Sequence, residues 1–226
     1  MILKYTDVEI TEEQSEKFRL FYEFLVKENQ KYNLTSIEDE REVYIKHFID
    51  SIKAVDNFPN LSTVIEIGSG AGFPSIPLMI RRNDLKFTLV ESVGKKCKFL
   101  EKTRDILGLK FEVLNARAED IGKDKRYREK FDVSTARAVA RLNTLCEYCL
   151  PLVKTGGKFI AYKGDADEEL IEAENGIKIL GGKIKSVKTY SLGEDAKKRT
   201  IIEIEKVKPT PSLYPRGNGK ERKNPL

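Results

Sequence analysis

The segment Thr63-Val-Ile-Glu-Ile-Gly-Ser-Gly-Ala-Gly-Phe-Pro74 decides the fold of this chain. Its first five residues are apolar or β-branched apart from Glu66, which predicts a buried strand. The glycines that follow predict a loop, and helical periodicity resumes at residues 76–80. A strand, a glycine-rich loop and a helix in this order present backbone N–H groups and a positive helix end to a ligand at the carboxyl edge of a sheet.

Strand-like and helix-like segments alternate after this point. Strands are predicted at residues 63–67, 87–91, 110–114, 131–135, 158–162, 183–190 and 199–207, and helices at 76–80, 95–107, 142–153 and 168–180. The alternation predicts an α/β fold with a doubly wound, mostly parallel sheet of Rossmann-like type. The last two strands are close in sequence, so we expect a hairpin that adds one antiparallel strand.

Two amphipathic helices, at residues 11–29 and about 38–55, precede the sheet. Thr11 and Gln14 form a capping box at the start of the first. We therefore divide the chain into an N-terminal helical lobe at 1–60, a ligand-binding core at 61–208 and a basic, extended tail at 209–226.

The charge balance is modest, with 41 Lys and Arg residues against 36 Asp and Glu residues, a formal net charge of +5. Residues 208–226 hold five basic residues and one acidic residue, so nearly all of the excess lies there. No apolar run approaches the ~20 residues of a spanning helix, and the first residues do not resemble a signal peptide. We expect a cytoplasmic protein without a membrane partner.

The chain has three cysteines and one histidine, His47. Cys146 and Cys149 have the C-x-x-C spacing of a redox motif, but no strand-to-helix turn precedes them, so we interpret them as two thiols on a helix. With a single histidine and no second cysteine pair, we expect no metal site.

The glycine loop does not fit a pyrophosphate ligand. A dinucleotide fingerprint requires a third glycine where Phe73 stands, and no Gly-Lys-Ser/Thr sequence follows. Glu91 ends the next strand about twenty residues later, where a carboxylate meets ribose hydroxyls in doubly wound folds. The loop at residues 115–120 can offer an N–H group and a carboxylate to an adenine edge, although such an acidic pair is also typical of a helix cap.

Glu66 lies within a strand that we expect to be buried, and a buried carboxylate needs a partner. A cationic group of the cofactor would supply one. S-adenosylmethionine carries an ammonium and a sulfonium, and it contains no phosphate.

Seven motifs together closely resemble the bacterial ribosomal RNA small-subunit methyltransferase G family, also called glucose-inhibited division protein B. They are Lys31-Tyr-Asn-Leu-Thr35, His47-Phe-Ile-Asp-Ser51, Glu66-Ile-Gly-Ser-Gly-Ala-Gly-Phe-Pro74, Glu91-Ser-Val-Gly-Lys-Lys96, Asn115-Ala-Arg-Ala-Glu119, Thr135-Ala-Arg-Ala138 and Lys163-Gly164. The resemblance runs from about Lys31 to Leu226. One departure is Ser75, where the family commonly has glycine, and we expect it to be tolerated.

The resemblance implies S-adenosylmethionine-dependent methylation of guanine N7 at one position of 16S ribosomal RNA, in the RNA or the small subunit. It implies cofactor contacts in the glycine loop, in the loop after the third strand and after the fourth strand, with the ribose held by the second strand. The expected cofactor residues are Gly68, Gly70, Phe73, Glu91, Ala118, Glu119 and Arg137.

Guanine N7 is already a free lone pair, so its methylation needs alignment and no catalytic base. We expect Arg137 to be the catalytic residue that orients the base or a phosphate. Basic residues at the same edge are expected to contact RNA: Lys95, Lys96, Arg117, Arg141, Lys163 and Arg199. We expect His47 to be a hydrogen-bonded residue between lobe and sheet, with Asp50 and Asn33 as polar neighbours.

Three alternatives remain open at this stage. They are a noncatalytic nucleotide- or RNA-binding protein on the same core, a nicotinamide-dependent oxidoreductase, which Phe73 disfavours, and a methyltransferase acting on a small molecule or a protein. We expect the chain to act as a monomer.

Overall fold

The structure is a computed structural model that describes residues 8–192 and 195–226. Strands β1 to β7 span Thr63–Ile67, Lys86–Glu91, Phe111–Asn115, Phe131–Arg137, Val153–Lys163, Gly182–Leu192 and Asp195–Lys206. They form one seven-stranded sheet in the order β3-β2-β1-β4-β5-β7-β6. Strands β1 to β5 run parallel, and β7 pairs antiparallel with both β5 and β6. The predicted fold class and its C-terminal hairpin are confirmed.

Helices lie on both faces of this sheet. Helices α1 to α9 span Glu12–Tyr32, Glu40–Val43, Asp50–Ile52, Ser75–Arg81, Gly94–Leu107, Ala118–Lys123, Leu142–Cys149, Asp167–Ile179 and Lys220–Lys223. The single helix predicted at residues 38–55 is divided, since a π-helical turn at Tyr44–Ile49 separates α2 from α3. Helix α7 also ends earlier than predicted, at Cys149, because a 3₁₀ turn containing Pro151 leads into β5.

Helix α1 begins as the sequence predicts. The Gln14 backbone N–H donates to Thr11 Oγ1 and the Thr11 N–H donates to Gln14 Oε1, both at 3.2 Å, which completes the capping box. Its apolar face buries Phe18, Phe21 and Leu25 completely. Helix α1 packs on α4 and α5, which lie between it and the sheet.

The core has two apolar layers, one on each face of the sheet. Because side chains alternate along a strand, Val64 of β1 lies in the layer that includes α1 to α5, whereas Ile65 and Ile67 lie in the layer that includes α6 to α8. Strand β1 is therefore covered on both sides, and the loop that follows it is anchored in the centre of the molecule.

Residues 209–226, called the C-terminal segment below, differ from the extended tail that the sequence predicts. The Arg128 guanidinium donates to the carbonyl oxygens of Thr210 and Tyr214 at 2.8 and 2.6 Å. Arg216 forms an ion pair of 2.7 Å with Glu147 of α7, whose side chain is buried. The segment packs on the second layer because its carbonyl groups and its arginine meet partners there that are distant in sequence.

The cysteine interpretation is confirmed, since Cys146 and Cys149 are buried free thiols on α7. Burial raises the pKa of both thiols above the usual range. Across residues 8–192 and 195–226, no cluster of three or more histidine, cysteine or acidic residues is suited to a metal ion. Within the same ranges, no helix has the length and apolar character needed to cross a membrane.

Glu66 is the most unfavourably placed side chain of β1. It is fully buried, and neither carboxylate oxygen has a hydrogen-bond partner within the described part of the chain. Burial raises its pKa from 4.5 to about 8, although the hydroxyl of Ser75 and the charge of Arg137 act against that shift. At neutral pH the folded protein therefore holds this carboxyl mostly in its protonated form.

This shift predicts a stability that depends on pH. Between pH 4.5 and 8 the unfolded carboxyl has lost its proton while the folded one still binds it, so the free energy of unfolding falls as pH rises. Relative to the Glu66→Gln variant, wild type should lose up to about 1.4 kcal/mol per pH unit within this window. Urea unfolding at pH 5, 6.5 and 8 measures the difference.

The exposed Glu101 of α5 provides the control, since Glu101→Gln should follow wild type at every pH. An equal difference between wild type and Glu66→Gln at pH 5 and pH 8 would contradict the assignment of the shifted pKa to Glu66.

Candidate active site

Three connected cavities lie along the carboxyl edge of the sheet, at the point where the strand order reverses between β1 and β4. The central one, of about 350 Å³, contains the glycine loop and is called the loop cavity. The β3 cavity, of about 410 Å³, adjoins it and shares Gly68 and Val139 with it. The β5 cavity, of about 290 Å³, adjoins it on the other side and shares His47 and Arg137. Open α/β sheets bind ligands at this position.

A larger cavity of about 670 Å³ lies at the opposite edge, beside residues 82–87 and 108–110. It is formed around the beginnings of β2 and β3 and contains none of the glycine loop. The three connected cavities are therefore the better candidate for the site.

The glycine loop is shaped for close approach to a ligand. Gly68 has φ +70°, and a Cβ atom there would lie 2.6 Å from Val139 Cγ2. Its N–H donates to the Val90 carbonyl at 2.9 Å, and the Gly70 N–H donates to Glu91 Oε2 at the same distance. Residue 68 requires glycine for two reasons: its positive φ would strain the backbone of any other residue, and a Cβ atom would collide with Val139.

Glu91 is buried at the end of β2 and lines the loop cavity. Its second carboxylate oxygen accepts the N–H of Val93 at 2.8 Å, so both carboxylate oxygens already accept a hydrogen bond from the backbone. Each carboxylate oxygen can accept a further hydrogen bond. Glu91 thus fixes the geometry of two loops and retains the capacity to bind hydroxyl groups.

The β3 cavity is lined by the loop after β3, as the sequence predicts. Ala118 and Glu119 begin α6 there, and the exposed Arg117 precedes them. The wall also includes Asn218 and Arg222 of the C-terminal segment, which sequence analysis did not identify. Nothing in the local sequence of that segment indicates this position.

Arg137 ends β4 and lines both the loop cavity and the β5 cavity. Its Nη1 donates to Asp50 Oδ2 at 2.9 Å, and its Nη2 lies 3.2 Å from His47 Nδ1. The guanidinium carbon stands 4.9 Å from the centre of the Phe73 ring. Charge, hydrogen bonds and an aromatic face therefore hold this arginine in one orientation.

His47 lies between the helical region and the sheet, but its neighbours differ from those we expected. Its Nε2 is 2.8 Å from Thr35 Oγ1, and its ring stacks on Phe73 with 4.6 Å between centres. Asp50 is reached through Arg137, and no described contact joins His47 to Asn33. Burial, and after it the charge of Arg137, lower the pKa of His47 to about 3, so the imidazole is neutral at physiological pH.

Asp50 connects the elements around this site. Besides the bond from Arg137, its Oδ1 accepts the Tyr190 hydroxyl of β6 at 2.8 Å and lies 3.8 Å from Arg199 Nε of β7. Sequence analysis considered Asp50 only as a neighbour of His47. The sequence did contain one indication of this role, because Asp50 follows His47 by three residues on a helical segment and so lies on the same face.

The other basic residues predicted to contact RNA do not all lie at one cavity. Lys163 and Arg199 line the β5 cavity, where Lys163 forms an ion pair of 2.7 Å with Glu169. Lys96 lines the loop cavity, while its neighbour Lys95 is exposed. Arg141 lies outside the lining of the three cavities, bound through two nitrogens to Glu172.

The residues present fit a cationic adenosine cofactor. The expected pairing of Glu66 with a cofactor ammonium is not part of this fit, because Glu66 is fully buried and lines none of the three cavities. Gly68 and Gly70 leave the loop backbone open to a ligand, Glu91 provides acceptors for a ribose, and Ala118 and Glu119 line the neighbouring cavity.

Two solved structures of similar fold are named methyltransferases. A methyltransferase from Pyrococcus furiosus superposes with a TM-score of 0.57 at 15% identity, covering 85% of this chain and all of that one. A SAM-dependent O-methyltransferase from Thermotoga maritima gives a TM-score of 0.52 at 16% identity, covering 83% and 73% of the two chains. At such identities the likeness concerns the fold alone.

Sequence comparison is more specific. Ribosomal RNA small subunit methyltransferase G of Lactobacillus johnsonii is 48% identical, with 96% of this chain and 94% of that protein covered. The proteins of the same name from Staphylococcus carnosus and Brevibacillus brevis are 48% and 47% identical, with coverage of at least 95% on both sides. The family profile described as rRNA small subunit methyltransferase G matches residues 14–201. This chain therefore belongs to the rRNA small subunit methyltransferase G family.

Proposed function

We propose that this chain transfers a methyl group from S-adenosylmethionine to N7 of one guanine in the 16S ribosomal RNA of the small subunit. The observation that carries the proposal is the position of Arg137, which lines both the loop cavity and the β5 cavity, the latter together with the basic residues Lys163 and Arg199. Family membership supports the choice of ribosomal RNA as the substrate.

The loop cavity and the β3 cavity would hold the cofactor. The glycine loop would allow its close approach, and the Glu91 carboxylate and the start of α6 would offer polar partners for its ribose and adenine. When bound, S-adenosylmethionine supplies an electrophilic methyl group on a sulfonium. Phe73 and Arg137 line the loop cavity, and Arg137 also lines the β5 cavity, so these two side chains stand where the cavities meet.

The β5 cavity would receive the guanine. Its N7 lone pair needs no deprotonation before attack, and the only imidazole of the chain is neutral with a pKa of about 3. The residues therefore act by orientation, with Arg137 as the group that meets the base. An arginine locked by Asp50 and Phe73 loses little further entropy when it donates to guanine O6 or to a phosphate.

Basic residues around the cavities would neutralise RNA phosphates. Arg199 is half-buried and lines the β5 cavity, and Lys95 and Arg117 are exposed. We propose that the chain acts as a monomer in the bacterial cytoplasm, on 16S RNA or on the small subunit.

The first prediction concerns the product. Incubation with labelled S-adenosylmethionine and small subunits from cells lacking the enzyme should place label at one guanine, detected by cleavage specific for N7-methylguanine. Binding of S-adenosylhomocysteine is measured alongside by calorimetry. Cofactor binding without incorporation would contradict the RNA substrate, and absence of cofactor binding would contradict the methyltransferase assignment. Retained nicotinamide in the purified protein would support an oxidoreductase instead.

The second prediction concerns Arg137. Arg137→Lys keeps the charge but cannot bridge Asp50 and lie flat on Phe73, so methylation should fall about 100-fold or more at saturating substrate. Because cofactor groups are also held elsewhere, the Kd for S-adenosylhomocysteine should rise about tenfold at most. Single-turnover methylation and calorimetry measure the two effects.

Arg126→Lys is the matched control, since Arg126 is exposed and is bound mainly by Asp124. It should methylate like wild type. Activity of Arg137→Lys within threefold of this control would show that Arg137 does not orient the base.

A further inference from the structure

The C-terminal segment supplies one wall of the β3 cavity. Asn218, Gly219 and Arg222 face this space together with Ala118 and Glu119 at the start of α6. The β3 cavity adjoins the glycine loop on the side away from Arg137 and the β5 cavity. A ligand held by Glu119 therefore meets the C-terminal segment as well as the sheet edge.

Buried polar contacts fix this wall in place. Arg216 pairs with Glu147, whose side chain is 1% exposed, through both carboxylate oxygens. Thr144 Oγ1 donates to the Glu221 carbonyl at 2.9 Å, and Glu221 itself is fully buried. Removal of one partner of such a buried ion pair strongly destabilises a protein, so the C-terminal segment is an integral part of the fold.

Helix α6 is fitted to the same segment. A Cβ atom on Gly122 would lie 2.8 Å from Pro215 Cγ, so glycine permits the close contact. At the next residue, Lys123 Nζ donates to the Arg216 carbonyl at 3.1 Å. Because Ala118 and Glu119 form the first turn of α6, the segment also positions the residues expected to meet the adenine ring.

Arg222 is the side chain of this wall best suited to contact a ligand. It is exposed, whereas Tyr148 beside it is 5% exposed and has a pKa raised by burial, an effect that the Arg222 guanidinium opposes. Glu119 and Arg117 line the same cavity from the loop after β3, so the cavity offers one acidic acceptor and two planar cations, of which Arg222 is the one on the C-terminal segment. An adenine ring needs an acceptor for its amino group and binds well against the flat face of a guanidinium.

We propose that the C-terminal segment is part of the cofactor site and that Arg222 binds the adenine base of the cofactor. This inference rests on the proposed function in one respect, because it takes the cofactor to be S-adenosylmethionine. It adds a recognition residue outside the glycine loop, β2 and α6.

The test compares Arg222→Ala with Lys223→Ala. Both variants remove one positive charge from exposed positions of α9, but Lys223 does not line the cavity. Calorimetry measures binding of S-adenosylhomocysteine and of 5′-methylthioadenosine, which retains the adenine and ribose but lacks the amino acid. Arg222→Ala should raise both Kd values by a similar factor of about 5 to 20, as loss of one stacked cation implies. Lys223→Ala should bind both compounds like wild type, and the thermal midpoints of the variants should agree.

Three outcomes would overturn the inference. They are unchanged binding by Arg222→Ala, weaker binding of S-adenosylhomocysteine alone, which would place Arg222 at the amino acid, and equal losses in both variants, which would indicate a general charge effect. Failure of wild type to bind S-adenosylhomocysteine is distinguishable from these, since it contradicts the proposed function itself.

Discussion

The ion pair between Arg137 and Asp50 is the interaction on which the site depends. It joins the end of β4 to the helical segment that packs over the sheet, with both side chains nearly buried. Tyr190 and Arg199 bring β6 and β7 to the same carboxylate. A buried pair of this kind stabilises little overall, but it requires every partner to be present. The pair therefore fixes one arrangement of three chain regions around the β5 cavity.

A second constraint lies beneath the glycine loop. Glu66 occupies a position on β1 that an apolar residue would fill at lower cost, and its pKa of about 8 expresses that cost. Departures of this kind from an apolar core are expected at functional or strained sites. The glycine loop that follows is held by hydrogen bonds to β2, since the N–H groups of Gly68 and Gly70 donate to Val90 and Glu91. The burial of Glu66 therefore lowers the stability of the folded protein, while hydrogen bonds fix the backbone of the adjacent glycine loop.

The C-terminal segment joins these elements from outside the sheet. Its buried contacts to α7 and its close approach to α6 connect the last residues of the chain to the loop after β3. The C-terminal segment is thereby coupled through α6 to the proposed cofactor site. The three cavities consequently depend on residues from the helical region, the sheet and the C-terminal segment, which lie far apart in sequence.

The sequence by itself determined the strand–loop–helix unit at residues 63–81, the parallel sheet and the α1 cap, because local periodicity and spacing encode these features. The cofactor residues Gly68, Glu91 and Glu119 are predictions that rest on the family resemblance together with the spacing of the glycine loop and Glu91. Only the tertiary structure decided that Asp50 holds Arg137, that Lys163 is paired with Glu169, and that Arg222 lines the β3 cavity. Those contacts join residues whose separation in sequence carries no periodic signal. The C-terminal segment shows the reason most clearly, since its prolines, glycines and charges indicate an exposed tail until the buried Glu147 provides a partner for Arg216.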